Sequence, residues 1–144
     1  MLVGISPLIS PALLETLHRM GHGDDVVFAD AHFPSESLGP PCLRADGLQI
    51  VDLLDAVLPL LALDTYIDSP VTMMATVSGD SADPDIEKSY RETVAKHWPE
   101  TPLLEKIDRF DFYSRAAKAF AIVASGDTAK YANIILKKGV TPSP

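Results

Sequence analysis

Short apolar runs alternate along the chain with segments whose apolar residues recur every three or four positions, a pattern that predicts interleaved strands and helices. Ser10-Pro11 supplies a hydroxyl cap and then a proline suited to the first helical position; Leu13, Leu14, Leu17 and Met20 follow at helical spacing until Gly21 offers a stop. Asp25 to Ala29 reads as a strand, and Phe33-Pro34 through Gly39-Pro40-Pro41 as a loop whose prolines limit its freedom. Ile50, Leu53, Leu54, Val57 and Leu58 form the stripe of a second helix that Pro59 kinks or ends. Val71 to Val77 reads as a largely buried strand, and Asp83-Pro84 opens a third helix with Ile86, Tyr90 and Val94 on one face.

In the last third, Leu103 to Ile107 reads as a short strand, and Asp111 as the cap of a helix running to about Ala119. Phe120 to Ala124 and Tyr131 to Leu136 read as strands separated by a turn at Gly126-Asp127, with Thr141 to Pro144 as a tail. Helices alternating with short strands predict an α/β fold: one three-layer domain over residues 1–144, with a mixed central sheet and helices on both faces.

Composition narrows the function classes. With 47% apolar residues in 144, the chain can bury a substantial core. Its 12 basic and 20 acidic side chains give a formal charge of -8, which argues against nucleic acid as a partner, since that affinity rests on Lys and Arg neutralising phosphates. Cys42 is the only cysteine, and the Met-Leu-Val-Gly start lacks a basic, then long apolar, leader, so the expectation is a reducing, cytoplasmic setting. Asp52, Asp55 and Asp64 break the longest apolar stretch well short of the roughly 18–20 residues that a membrane span needs.

Candidate chemistry concentrates in two polar clusters, Gly21-His22-Gly23-Asp24 and Asp30-Ala31-His32, which bracket the apolar run Val26 to Ala29 and suggest a small site between two loops. His22 is the leading acid-base candidate: imidazole titrates near neutral pH, and the flanking glycines leave the ring approachable, although a histidine here also suits a helix-capping role. Asp30 could orient an imidazole, accept from sugar hydroxyls, or merely satisfy loop amides. His18 four residues before His22, with Asp30 or His32 added, raises a metal site, but Gly21 interrupts that face and no metal is expected. His97 beside Trp98 reads first as a packing pair at a helix end.

Arg109-Phe110-Asp111-Phe112-Tyr113 mixes aromatic area with hydrogen-bond donors, as a carbohydrate pocket or an ordinary core would. In Tyr131-Ala132-Asn133, a strand would turn the phenol and the amide to one face. Lys137-Lys138-Gly139 reads as a solvated turn, because no glycine-rich phosphate cradle precedes the lysines; no dinucleotide fingerprint is present, and no cofactor is expected.

The ordered set Ile5-Ser6-Pro7-Leu8-Ile9-Ser10-Pro11, Met20-Gly21-His22-Gly23-Asp24, Phe28-Ala29-Asp30-Ala31-His32-Phe33-Pro34, Arg44-Ala45-Asp46-Gly47, Arg109-Phe110 and Lys130 through Val140 covers nearly the whole chain. It resembles the family that contains bacterial L-fucose mutarotase and D-ribose pyranase, and Arg109-Phe110, Asp46-Gly47 and the Lys137 to Val140 ending look more like the fucose branch. The resemblance implies a cofactor-independent isomerase acting on a free monosaccharide, with L-fucose as the expected sugar and His22 as the catalytic residue. It also implies that Asp30, Arg109, Tyr131 and Asn133 contact or orient the sugar. By the same resemblance the protein assembles as two stacked pentameric rings, a homodecamer with the site near a subunit boundary. Some relatives have tyrosine near the position of Phe120, leaving Tyr113 or Tyr131 as substitutes in a proton relay. A pyranase acting on D-ribose or another aldose, and a non-catalytic sugar-binding or regulatory protein, are the competing readings.

Overall fold

A computed structural model describes all residues, Met1–Pro144. The chain runs α1 (Pro11–Arg19), β1 (Asp25–Ala29), β2 (Cys42–Ala45), α2 (Ile50–Val57), β3 (Val71–Met74), α3 (Pro84–His97), β4 (Glu105–Ile107), α4 (Arg109–Ala116), β5 (Ala121–Ser125) and β6 (Ile134–Lys137). The six strands form one sheet in the order β2-β5-β1-β6-β3-β4. Neighbours pair parallel except at β6, which lies between β1 and β3 and runs antiparallel to both.

Side chains alternate across a strand, and both faces of this sheet are covered. Val26 and Phe28 of β1, Val123 of β5 and Ile134 and Leu136 of β6 point into a core shared with Leu13 and Leu17 of α1, Leu53 and Leu54 of α2 and Tyr90 and Val94 of α3. The intervening residues Val27, Ala29, Ile122 and Ile135 point the other way and pack under Phe112 and Ala116 of α4. The three-layer arrangement follows: three helices cover one face and one covers the other.

Local chemistry sets several boundaries. The Ser10 hydroxyl accepts from the Leu13 amide (3.1 Å) and Pro11 opens α1, as the sequence predicts. Asp83 likewise caps α3 through the Asp85 amide (2.9 Å). His97 and Trp98 do pack at a helix end: His97 Nε2 lies 2.7 Å from Asp55 Oδ1, and the Trp98 indole donates to the Leu58 carbonyl (2.8 Å), tying α3 to α2.

Four expectations need correction. Asp108, not Asp111, caps α4: its carboxylate accepts from the Phe110 and Asp111 amides (2.9 and 3.0 Å), so the helix starts earlier and ends at Ala116. The strand expected over Val71 to Val77 stops at Met74, where the chain leaves the sheet for an exposed loop. The last strand starts at Ile134 because Tyr131 adopts a left-handed conformation, with φ of 59°. Lys137-Lys138-Gly139 is no solvated turn: Lys137 ends β6, and the Lys138 ammonium donates to the Leu17 and Met20 carbonyls (2.8 and 2.6 Å), closing the C-terminus of α1. The edge strand β2 was not expected at all, since only four residues, one of them Arg44, carry its signal.

An ion cluster joins α4 to three strands. The Arg115 guanidinium donates to both carboxylate oxygens of Asp25 in β1 (2.9 and 3.1 Å) and to the Thr72 hydroxyl in β3 (2.9 Å). The Lys137 ammonium of β6 lies 2.9 Å from the same Asp25, whose side chain is only 11% exposed. Asp25→Ala would leave two cations facing each other in a half-buried site. It is expected to destabilise the fold by about 3 kcal/mol, measured by urea denaturation at fixed protein concentration.

Candidate active site

The reversed direction of β6 sorts the candidate residues into two groups. Asp30 follows β1, the 76–82 loop follows β3, Arg109 follows β4, and Tyr131 and Asn133 precede β6, so all of them collect at one end of the sheet. This is the end where the parallel strands finish, which is where open α/β sheets usually bind ligands. An open cavity of about 390 Å³ lies there, lined by Asp30, Arg109, Tyr131 and Asn133 together with His32, Tyr113 and others.

Each wall has a local reason for its position. The buried Asn133 side-chain oxygen accepts from the Asp30 amide (2.8 Å), and an Asp30 carboxylate oxygen accepts from the His32 amide (2.9 Å). The two loops thus brace each other, and burial pushes the Asp30 carboxyl above its ordinary value. Tyr90 donates its hydroxyl to the Ala132 carbonyl (2.8 Å), fixing the segment between the two site residues from the core below. The sequence reading put Tyr131 and Asn133 on one strand face; they share the cavity instead through a turn.

The Tyr131 hydroxyl donates to Asp80 (2.8 Å) in the exposed loop after β3. Lys130 also reaches Asp80 (2.7 Å), and this ammonium contact, aided by the Ser81 amide and the Tyr131 hydroxyl, draws the carboxyl down to about 2. Asp80 and Lys130 are cavity residues that sequence reasoning missed, the Lys130-Tyr131 pairing within a matching segment being the one hint, and His32, singled out within the second polar cluster but given no sugar role, joins them. On the opposite wall the Arg109 guanidinium, exposed and without a carboxylate partner, lies 5.6 Å from the Tyr113 ring centroid, and Tyr113 stacks on Phe33 at 5.4 Å. The cavity therefore offers a carboxylate, an amide, a phenol, a free cation and an aromatic surface, a set suited to a small polyhydroxylated molecule.

His22 is not part of this cavity. It sits before β1, at the other end of the sheet, and the five residues of β1 alone put about 17 Å between it and Asp30. The expectation of one small site between these two clusters fails within a single chain for that reason, and so does any direct tuning of His22 by its own Asp30. His22 has its own setting: Nε2 lies 3.1 Å from Asp64 Oδ1, and the ring leans on Tyr66 with centroids 5.3 Å apart. Phe120, just before β5, lies at this same end, its amide donating to the Asp25 carbonyl (2.8 Å). No three His, Cys, Asp or Glu side chains converge as metal ligands, and His18 on α1 does not join His22 with Asp30 or His32. No helix is long and apolar enough to cross a membrane.

Residues 3–141 match the RbsD / FucU transport protein family. A fucose mutarotase from Streptococcus pneumoniae, solved in complex with L-fucose, is 48% identical, with 98% of this chain and 100% of that one covered and a TM-score of 0.93. FucU from Bifidobacterium longum is 41% identical over 96% of this chain and 99% of its own, with a TM-score of 0.91. RbsD from Bacillus subtilis, solved with D-ribose, shares the fold at 21% identity, with 99% and 100% coverage and a TM-score of 0.75. A family match over nearly the full length, and relatives of this identity covering the same elements, carry one conclusion: the chain belongs to the RbsD/FucU family.

Proposed function

We propose that the protein is a cofactor-independent L-fucose mutarotase, interconverting the α and β anomers of the free sugar by opening and reclosing its ring. One observation carries this reading. Asp30, Arg109, Tyr131 and Asn133, drawn from three separated segments, line one cavity in a chain 48% identical over its whole length to a fucose mutarotase solved with its sugar.

Ring opening moves two protons. The anomeric hydroxyl loses one as its oxygen becomes the carbonyl, the bond from the anomeric carbon to the ring oxygen breaks, and the ring oxygen gains the other. In the open form the carbonyl turns, the former ring oxygen attacks its opposite face, and both transfers reverse. The Asp30 carboxylate, a better proton acceptor than an exposed aspartate because burial raises its pKa, takes the anomeric proton. His22 delivers the ring-oxygen proton and later recovers it. Arg109 steadies the developing carbonyl oxygen, and Tyr131 with Asn133 holds the remaining hydroxyls.

Proton transfer requires contact at about 2.6–3.2 Å, and a chain whose β1 separates His22 from Asp30 cannot supply both to one sugar. The site is therefore shared: His22 of one subunit closes the cavity of its neighbour, within a decamer of two pentameric rings. This distance, the exposed Tyr66 against His22 and the part-exposed Phe120 at the same end of the sheet support that assembly. A cytoplasmic location, supported by the single Cys42, completes the reading.

Three outcomes are expected. Saturation-transfer NMR of equilibrated L-fucose, with D-ribose alongside, should show accelerated anomeric exchange that His22→Gln lowers by about 100-fold in a folded protein; exchange at the buffer rate in the parent protein would favour binding without catalysis. Co-assembled His22→Gln and Asp30→Asn subunits should recover activity that neither homomer has, with the assembly sedimenting at ten times the 15.5 kDa chain mass. Because the Asp30 carboxylate must be ionised to take the anomeric proton and burial raises its pKa, kcat/KM for L-fucose exchange should fall as pH falls, beginning above the range of an ordinary aspartate near 3.8.

A further inference from the structure

The residue that faces His22 comes from far along the chain, 42 positions later, and it is buried. The Asp64 side chain is 4% exposed, whereas that of His22 is 46% exposed. A carboxylate is rarely hidden without partners, and this one has two: Oδ1 accepts from the Tyr66 amide at 3.0 Å and lies 3.1 Å from His22 Nε2. Those contacts, the Tyr66 amide foremost, hold the carboxyl below its ordinary value, so it stays ionised.

The position of Asp64 is built by the strand that also builds the sugar cavity. The Asp64 amide donates to the Lys137 carbonyl (3.0 Å), and the Gly139 amide donates to the Ala62 carbonyl (2.7 Å), clamping residues 62–64 against the end of β6. A Cβ at Gly139 would fall 2.4 Å from the Leu63 carbonyl oxygen, so only glycine permits this approach. From the other side, the Gly23 amide donates to the Lys138 carbonyl (2.8 Å) and the Lys137 ammonium to the Gly23 carbonyl (3.0 Å), which places the His22 loop against the same strand end.

The other charged groups near this loop are already committed. Asp24 accepts from the Gly21 amide (2.7 Å), and the Lys138 ammonium serves the α1 carbonyls. Lys137 is paired with Asp25 at 2.9 Å. His18 lies on exposed α1 surface, and Tyr66 contributes ring contact. Asp64 alone addresses an imidazole nitrogen of His22.

We infer that Asp64 is a positioning residue for His22, holding Nε2 as the protonated nitrogen so that Nδ1 is the one that exchanges a proton with the sugar. This rests on the reading of His22 as the proton-transfer group. When the ring is neutral, the carboxylate selects the Nε2–H tautomer. When Nδ1 is also protonated, the same carboxylate offsets the imidazolium charge, and loss of the Nδ1 proton to the ring oxygen returns the neutral tautomer. No other group changes its protonation state at this end of the sheet.

The test combines kinetics with solid-state NMR of the sedimented, 15N-histidine-labelled assembly at pH about 9, where imidazole is neutral. The His22 signals are identified by their loss in His22→Gln. Asp64→Ala is expected to lower kcat for L-fucose exchange by about 30-fold with KM within about twofold, a part of what a positioned acid-base group contributes. In the same variant the neutral ring should lose its Nε2–H preference and populate both tautomers. Asp64→Asn, whose amide oxygen can still accept from Nε2–H and from the Tyr66 amide, should restore the tautomer and part of kcat. An assembled, folded Asp64→Ala protein with the parent tautomer population, or with unaltered kcat, would overturn the inference. If instead the parent protein shows no exchange of L-fucose, the mutarotase reading fails on its own, while the tautomer populations still judge the Asp64–His22 pair.

Discussion

One strand running against its neighbours organises this molecule. β6 is flanked on both sides by strands of opposite direction, so its first residues lie where β1 and β3 end and its last residues where they begin. A parallel strand in that slot would deliver Tyr131 and Asn133 to the end that holds His22. The reversal instead gives the sheet two functional ends. One is a cavity edged by the entry to β6; the other is a histidine loop gripped by the exit from β6 through Lys137 and Lys138.

Polar chemistry is used differently at the two ends. In the cavity, the Asn133 side-chain oxygen accepts from the Asp30 amide and the Asp30 carboxylate from the His32 amide of its own loop, while the guanidinium of Arg109 stands as a cation without an ionic partner beside an aromatic surface. At the far end the charges are paired: Asp25 with Arg115 and Lys137, Asp64 with His22. An unpaired cation is poised for an incoming oxygen, while a paired histidine is held in one orientation. The difference supports the proposed division between holding a sugar and moving its proton.

Much of this was legible in the residues. The caps at Ser10 and Asp83 and the stripes of α1, α2 and α3 are local signals, and local signals survive folding. Asp30, Arg109, Tyr131 and Asn133 were named together through their order along a family-like sequence, and the cavity does gather them. What failed depended on distant partners. The cap of α4 is the local exception: Asp108 and Asp111, three residues apart, both carry the capping signal, and the helix begins one turn earlier than the second of them. Lys138 looked like a solvated turn residue because its acceptors lie more than a hundred positions earlier. Asp64 gave no signal as a partner of His22, since nothing within 42 residues of sequence connects them. The separation of His22 from Asp30 is the reverse case: closeness in sequence suggested closeness in space, and a fully extended strand is the one element that makes neighbours remote.

The alternation of Ile134, Ile135 and Leu136 has a consequence for how this protein can change. These residues feed the two cores in turn, and the same short stretch is bounded by Asn133 at one end and Lys137 at the other. Any apolar side chain of similar volume can be exchanged there at modest cost. Adding or deleting one residue would send each apolar group to the wrong face and rotate both polar ends away from their loops. Evolution of this strand is thus free in composition but frozen in length, and lineages that diverge widely elsewhere should keep the same residue count between the cavity-lining amide and the lysine at the opposite rim.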